Sequence, residues 1–220
     1  LHILCYQCGL TSFYGDNHLS PIAETQGWHG YSKKWFKKVL FDPSPIGSIE
    51  PATEWTYERV DYSNKSYTRR YYPNTGYELL QGEGVARGRL FGGHCGLAEL
   101  ENTCISLSAE DFRDTILFLE DIPECFTAQS ILSFLEWLDH LGALPGINGM
   151  VIGKPYENTT FSAQKEVIKQ FFSSRGLEHL PILYGLNFGH SSPICIMPYG
   201  ARAEINCLDQ SFSILDSGVE

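Results

Sequence analysis

Two ionisable residues stand where apolar runs stop. Glu120 closes Thr115-Ile-Leu-Phe-Leu, four apolar residues behind a threonine, which reads as a buried strand ending at two carboxylates, Glu120 and Asp121. His190 follows Ile182-Leu-Tyr-Gly-Leu-Asn-Phe-Gly and precedes Pro193-Ile-Cys-Ile-Met, a strand, a Gly-His turn and a second apolar run that would deliver an imidazole to the edge of a sheet. A lone histidine is usually packed or solvated, and only the strand context lifts His190 above that reading. If the two strands are neighbours, the Glu120 carboxylate can accept a hydrogen bond from one imidazole nitrogen, fixing the tautomer so that the other nitrogen acts as a base. Such a pair is two-thirds of a nucleophilic triad and still needs a serine or cysteine beside an oxyanion hole. The sequence has no Gly-x-Ser-x-Gly elbow, and Ser191 and Ser192 adjoin His190, whereas triad partners normally come from separate elements.

The elements that would position this pair alternate. After the Glu120 strand, Thr127 caps a helix with Ile131, Phe134, Leu135, Leu138 and Leu141 on one face, ending at Gly142. Residues 149–153 read as a strand, 162–173 as a helix with Val167, Ile168, Phe171 and Phe172 inward, and 181–187 as the strand that presents His190. Strand, helix, strand, helix, strand predicts an α/β fold, a mostly parallel sheet with crossover helices, and residues 193–197, 203–208 and 212–215 add a β-rich C-terminal end. Upstream, residues 1–8 read as the tail of a helix with Leu1, Leu4, Cys5 and Cys8 on its apolar side, closed by Gly9; a helix met at its middle implies sequence before it. Residues 11–14 are a short strand, Asp16-Asn17-His18 a turn, and 31–40 an amphipathic helix carrying Trp35, Phe36, Val39 and Leu40.

Residues 42–76 show little periodicity and read as a long connecting loop. Trp55 within it either stacks on a planar ligand or buries against the domain. Strands are expected at 78–80 and 85–91. The glycines at 82, 84 and 88 miss the dinucleotide fingerprint, and Gly92-Gly93 more plausibly lets the backbone approach a ligand or a neighbouring chain. The organisation expected is residues 1–30 as the tail of an N-terminal domain, 31–80 as a connecting segment and 81–220 as the C-terminal domain.

A formal net charge of −10 argues against a nucleic-acid backbone as partner, and no run of residues is apolar for long enough to span a bilayer. Seven cysteines at scattered positions suit a reducing cytoplasm better than a disulfide framework. Cys5-x-x-Cys8 lacks the second pair a zinc site needs, and His94-Cys95 lacks further ligands, so no metal is assigned.

Arg87-Gly-Arg-Leu-Phe-Gly-Gly93, Ile116-Leu-Phe-Leu-Glu-Asp121 and Asn187-Phe-Gly-His190 with Pro198-Tyr-Gly200 resemble, in order and spacing, the second half of the LD-carboxypeptidase family of serine peptidases. Glu54-Trp55 and Tyr72-Pro-Asn-Thr-Gly76 before Leu80-Gln-Gly-Glu-Gly84 look more like its microcin C self-immunity branch than its murein-recycling branch. The resemblance implies that Glu120 and His190 are the catalytic glutamate and histidine. It implies that the nucleophilic serine lies a few residues before Leu1, in an N-terminal nucleophile domain absent from these residues. Trp55, Gly92, Gly93 and His94 become candidate substrate contacts, although His94 stands where the family commonly has Asn.

The implied activity of the complete protein is hydrolysis of peptidyl- or aminoacyl-nucleotide amides, or of LD-peptide bonds of murein peptides, without a metal or organic cofactor and as a homodimer. The competing reading is a non-catalytic module that keeps the fold and ligand or subunit contacts.

Overall fold

The computed structural model describes residues 2–15, 22–24, 26–154 and 161–220, with Asn102 described by its backbone alone. The Asp16-Asn17-His18 turn and Leu1 lie outside the described residues. The elements in chain order are α1 (His2–Gln7), β1 (Phe13–Tyr14), α2 (Gly30–Phe41), β2 (Gly47–Ser48), β3 (Glu54–Trp55), β4 (Tyr72–Pro73), β5 (Glu78–Gln81) and β6 (Val85–Gly93). They continue with β7 (Thr115–Leu119), α3 (Ala128–His140), β8 (Ile147–Gly153), α4 (Ser162–Ser173), β9 (Ile182–Leu186), β10 (Met197–Pro198), β11 (Arg202–Asn206) and β12 (Ser211–Ile214).

One eight-stranded sheet, in the order β2-β12-β11-β6-β7-β8-β9-β5, carries the fold. Its centre, β6 to β9, is parallel, and the strands added on both flanks are antiparallel. The α/β pattern expected from the sequence is therefore present, with β7-α3-β8 and β8-α4-β9 as the crossovers. Every residue of β7 and β9 is buried, which is why these strands read as continuous apolar runs rather than alternating ones.

The crossover helices follow from their sequences. Thr127 accepts a hydrogen bond from the Ser130 N–H at 3.1 Å, giving α3 its N-terminal cap, and Gly142 with φ of +73° ends it. Ile131, Phe134, Leu135 and Leu138 of α3 and Ile168, Phe171 and Phe172 of α4 are buried, each contributing roughly 1.5–3 kcal/mol by its burial.

Two local expectations change. In α1 the buried side is Ile3, with Tyr6 packed on Phe91 at 4.7 Å between ring centroids, while Leu4 is exposed; a large ring outcompetes the small Cys5 and Cys8 for the sheet. Residues 193–196 form no strand. The Ile194 N–H donates to Ser32 Oγ at 2.9 Å and the Cys195 N–H to the Asn187 carbonyl at 2.6 Å, so these donors are taken locally before a ladder can claim them.

Candidate active site

Glu120 follows β7 directly and is only 3% exposed. Its N–H donates to the Gly93 carbonyl at 2.9 Å, which anchors the carboxylate at the carboxyl end of the parallel strands, where ligands collect in open α/β sheets. Its Oε2 accepts from the His190 backbone N–H at 3.1 Å and from His190 Nδ1 at 2.7 Å. Its Oε1 accepts from the Tyr14 hydroxyl. Three donors therefore meet this buried carboxylate, so its burial leaves neither oxygen without a hydrogen bond.

The strands that carry the pair are not neighbours, because β8 runs between β7 and β9. The reach across β8 depends on glycines. A Cβ on Gly153, the last residue of β8, would stand 2.8 Å from Glu120 Cβ and 2.9 Å from the Phe188 carbonyl oxygen. The space left there is what lets the carboxylate meet the imidazole.

His190 itself is about half exposed, with its side chain at 48%. The hydrogen bond that its ring donates to Glu120 holds its pKa above the ordinary histidine value; partial burial and the Arg59 charge oppose that, and the charges of Glu120 and Asp121 add to it. The His190 loop is pinned from the other side by the connecting segment. Thr56 and Ser192 exchange backbone hydrogen bonds of 2.7 and 2.8 Å, and buried Asn187 accepts from the Ala52 N–H at 3.0 Å. Buried Arg69 bonds Ser192 Oγ at 3.1 Å while pairing with buried Glu24.

Beside His190 opens a cleft of about 740 Å³, with Asp121, His94, Cys95, Cys125 and Phe134 among its walls. Burial pushes the Cys95 thiol up to about 12, and Cys125 is also raised above its ordinary value, so neither is a ready thiolate nucleophile. Asp121 caps its own turn, accepting from the Ile122 N–H at 2.8 Å.

The remaining sequence candidates spread around this centre. His94 lines the cleft with an exposed side chain, accepts from the Gly96 N–H at 3.1 Å and comes within 4.0 Å of Asp121. Gly92 and Gly93 end β6. A Cβ on Gly92 would stand 2.9 Å from backbone atoms of Phe118, so the close approach that this glycine permits is to the adjacent strand. Trp55 is 6% exposed, with its ring near Tyr57, Tyr72 and the Lys154 ammonium.

Tyr14 escapes sequence reasoning, since a two-residue strand gives no sign of what its side chain meets. β1 pairs with β10, Tyr14 opposite Met197, and this lays the phenol over Glu120. The one available signal was Gly15, whose missing side chain allows contact with Ile196, at 2.6 Å from its Cγ1 to a would-be Cβ. Burial, and secondarily the Glu120 charge, hold the Tyr14 hydroxyl far above the ordinary tyrosine value, so it stays protonated as a donor. Chemically, the arrangement is an oriented imidazole: Nδ1 is committed to a buried carboxylate and the ring is presented at the mouth of a cleft.

A sequence model of the LD-carboxypeptidase C-terminal domain matches residues 87–205, from β6 to β11. The putative carboxypeptidase YocD of Bacillus subtilis is 31% identical over 208 residues, covering 91% of this chain and 58% of its own length. An MccF-like protein from Streptococcus pneumoniae, solved in complex with AMP, superposes with a TM-score of 0.84 at 27% identity, covering 97% of this chain and 66% of that one. The microcin C7 self immunity protein MccF shares the fold at 19% identity, with a TM-score of 0.79 over all of this chain and 65% of its own. The chain thus spans somewhat under two-thirds of the length of these relatives.

Proposed function

The chain belongs to the LD-carboxypeptidase family, and from that membership we propose that it supplies the acid–base half of an amide hydrolase. The observation that carries this reading is the buried Glu120 carboxylate on His190 Nδ1 at 2.7 Å, at the edge of a cleft. In the reaction proposed, a serine outside these 220 residues attacks the carbonyl carbon of the scissile amide, and His190 Nε2 takes its proton. The imidazolium, stabilised by Glu120, then returns the proton to the leaving nitrogen as the C–N bond breaks. Water attacks the resulting acyl ester with the same histidine as base and frees the serine. Tyr14 acts through Glu120 as a positioning residue.

The substrate class proposed is a small peptide or peptidyl-nucleotide bearing an amide near a free carboxylate or acyl-nucleotide group. This draws on the carboxypeptidase relatives and on the AMP-bound MccF-like neighbour. Trp55, Gly92, Gly93 and His94 are the proposed substrate side of the site. The seven scattered cysteines fit a reducing cytoplasm. We take the complete protein to act as a homodimer, which light scattering on it tests.

In the complete protein, Glu120→Gln and His190→Ala should each lower kcat/KM for peptidyl-nucleotide or LD-peptide hydrolysis by about a thousandfold or more. Activity within tenfold of wild type in either variant would remove these residues from the chemistry. The 220-residue chain alone is expected to show no hydrolysis, and robust turnover by it would overturn the assignment of the nucleophile to another segment.

A further inference from the structure

Apart from Glu120 and His190, one buried cation differs from the charged residues around it. Lys154 directly follows β8 and is 9% exposed. Its N–H donates to the Leu186 carbonyl at 2.7 Å, and its ammonium lies 5.0 Å from the centre of the Trp55 ring. Lys34, Lys38, Lys165 and Arg69 each pair with a carboxylate, but among the described residues Lys154 pairs with none. Its charged neighbour is another cation, Lys165 of α4, which Glu78 of β5 holds at 2.5 Å. Moving an ammonium out of water without a counter-charge is costly, and a ring face returns only part of that cost.

A residue without a side chain sits beside the ammonium. Gly185 of β9, with φ of +83°, has no side chain, and a Cβ there would stand 3.9 Å from Lys154 Nζ. The place is also tied to the reacting centre on both sides. Gly153, one residue before Lys154, is the glycine over which Glu120 reaches, and Thr56, one residue after Trp55, is bonded to the His190 loop through Ser192.

We propose that Lys154, held against Trp55, is an oxyanion-recognition point that takes a carboxylate or phosphate oxygen of the ligand. Trp55 then serves the ligand through the ammonium it holds. The proposal rests on the hydrolase reading for its place in substrate selection, while anion binding itself needs no turnover and no nucleophile.

The test uses the 220-residue chain labelled with 15N, following the Trp55 indole N–H signal, assigned by its loss in Trp55→Phe, during titration with N-acetylglycine and, separately, with inorganic phosphate. In wild type at least one of the two should move the signal saturably, and which one does so distinguishes a carboxylate from a phosphate ligand. In Lys154→Met, which keeps the length of the stem, the affinity should fall about tenfold or more, while Lys154→Arg should retain it. The proposal fails if neither anion moves the signal in wild type, or if Lys154→Met binds within twofold of it. Binding that survives in Lys154→Met while Glu120→Gln abolishes hydrolysis by the complete protein sinks this proposal alone. Loss of binding in Lys154→Met with full hydrolysis by Glu120→Gln sinks the hydrolase reading instead.

Discussion

A Cβ on Gly189 would stand 2.6 Å from the carboxyl carbon of Glu120, so the residue before the histidine has to be glycine for the carboxylate to reach the ring. The same glycine has φ of +93°, a conformation that a side chain disfavours by about 1–2 kcal/mol before any collision is counted. Gly189→Ala should therefore destabilise the chain by roughly 2–4 kcal/mol in urea unfolding, and separate Glu120 from His190. An alanine variant that unfolds within 0.5 kcal/mol of wild type, roughly the scatter of a neutral surface change, would mean that the contact is soft.

Tyr14→Phe removes one donor from Glu120 Oε1 and leaves a buried carboxylate oxygen short of a partner. The expected loss is about 1–3 kcal/mol of stability. In the complete protein kcat should drop about tenfold with KM nearly unchanged, because the hydroxyl acts through Glu120 and does not touch substrate. A change confined to KM would assign Tyr14 to substrate binding instead.

The Glu120–His190 pair was legible because both residues terminate apolar runs, and a buried parallel strand writes its own end into the sequence. The two crossover helices were legible for a related reason, a cap followed by one apolar face. What was not legible depends on contacts between distant residues. The sequence contains Gly153 and Gly189 without stating that Glu120 passes over both, and Tyr14 without stating that β10 will hold its strand. On the antiparallel flank β2 joins β12 across more than 150 positions, and a two-residue strand such as β2 carries too few side chains to show a period.

Because Glu120 raises the His190 pKa, the imidazolium is more stable in the folded chain than in the unfolded one. The stability it contributes is fully present below the unfolded value of 6.5 and is lost as pH rises through the higher folded value. An NMR titration of the His190 ring should give a midpoint above 6.5, and Glu120→Gln should bring it down. A general base must be neutral, so activity of the complete protein should climb with pH through that raised midpoint. A midpoint at or below 6.5 in wild type would contradict the geometry.

Arg69, in the loop that backs the His190 turn, forms a buried pair with Glu24 from the segment before α2. Removing one member leaves the other charge buried alone, so Arg69→Met or Glu24→Gln should each cost about 3–5 kcal/mol, while the double variant Glu24→Gln/Arg69→Met should recover much of that loss. Additive losses in thermal unfolding of the three variants would show that the two charges do not act as a pair.

Lys154 should show the opposite sign. Burial, helped by the charge of Lys165, pushes its ammonium down to about 8 from the ordinary 10.5. A cation with a lowered folded value costs stability, fully below pH about 8 and not at all above about 10.5. At pH 7, Lys154→Met should therefore stabilise the chain by about 1–3 kcal/mol, a rise of several degrees in Tm, and the gain should shrink as pH approaches 10. A less stable variant at pH 7 would mean that the ammonium is already compensated. An anion bound at Lys154 reverses the comparison, because a ligand that binds only the folded state stabilises it in proportion to the logarithm of its saturation. Adding the anion that moves the Trp55 signal should raise the Tm of wild type and leave that of Lys154→Met unchanged, separating a lysine kept for binding from one that merely fills space.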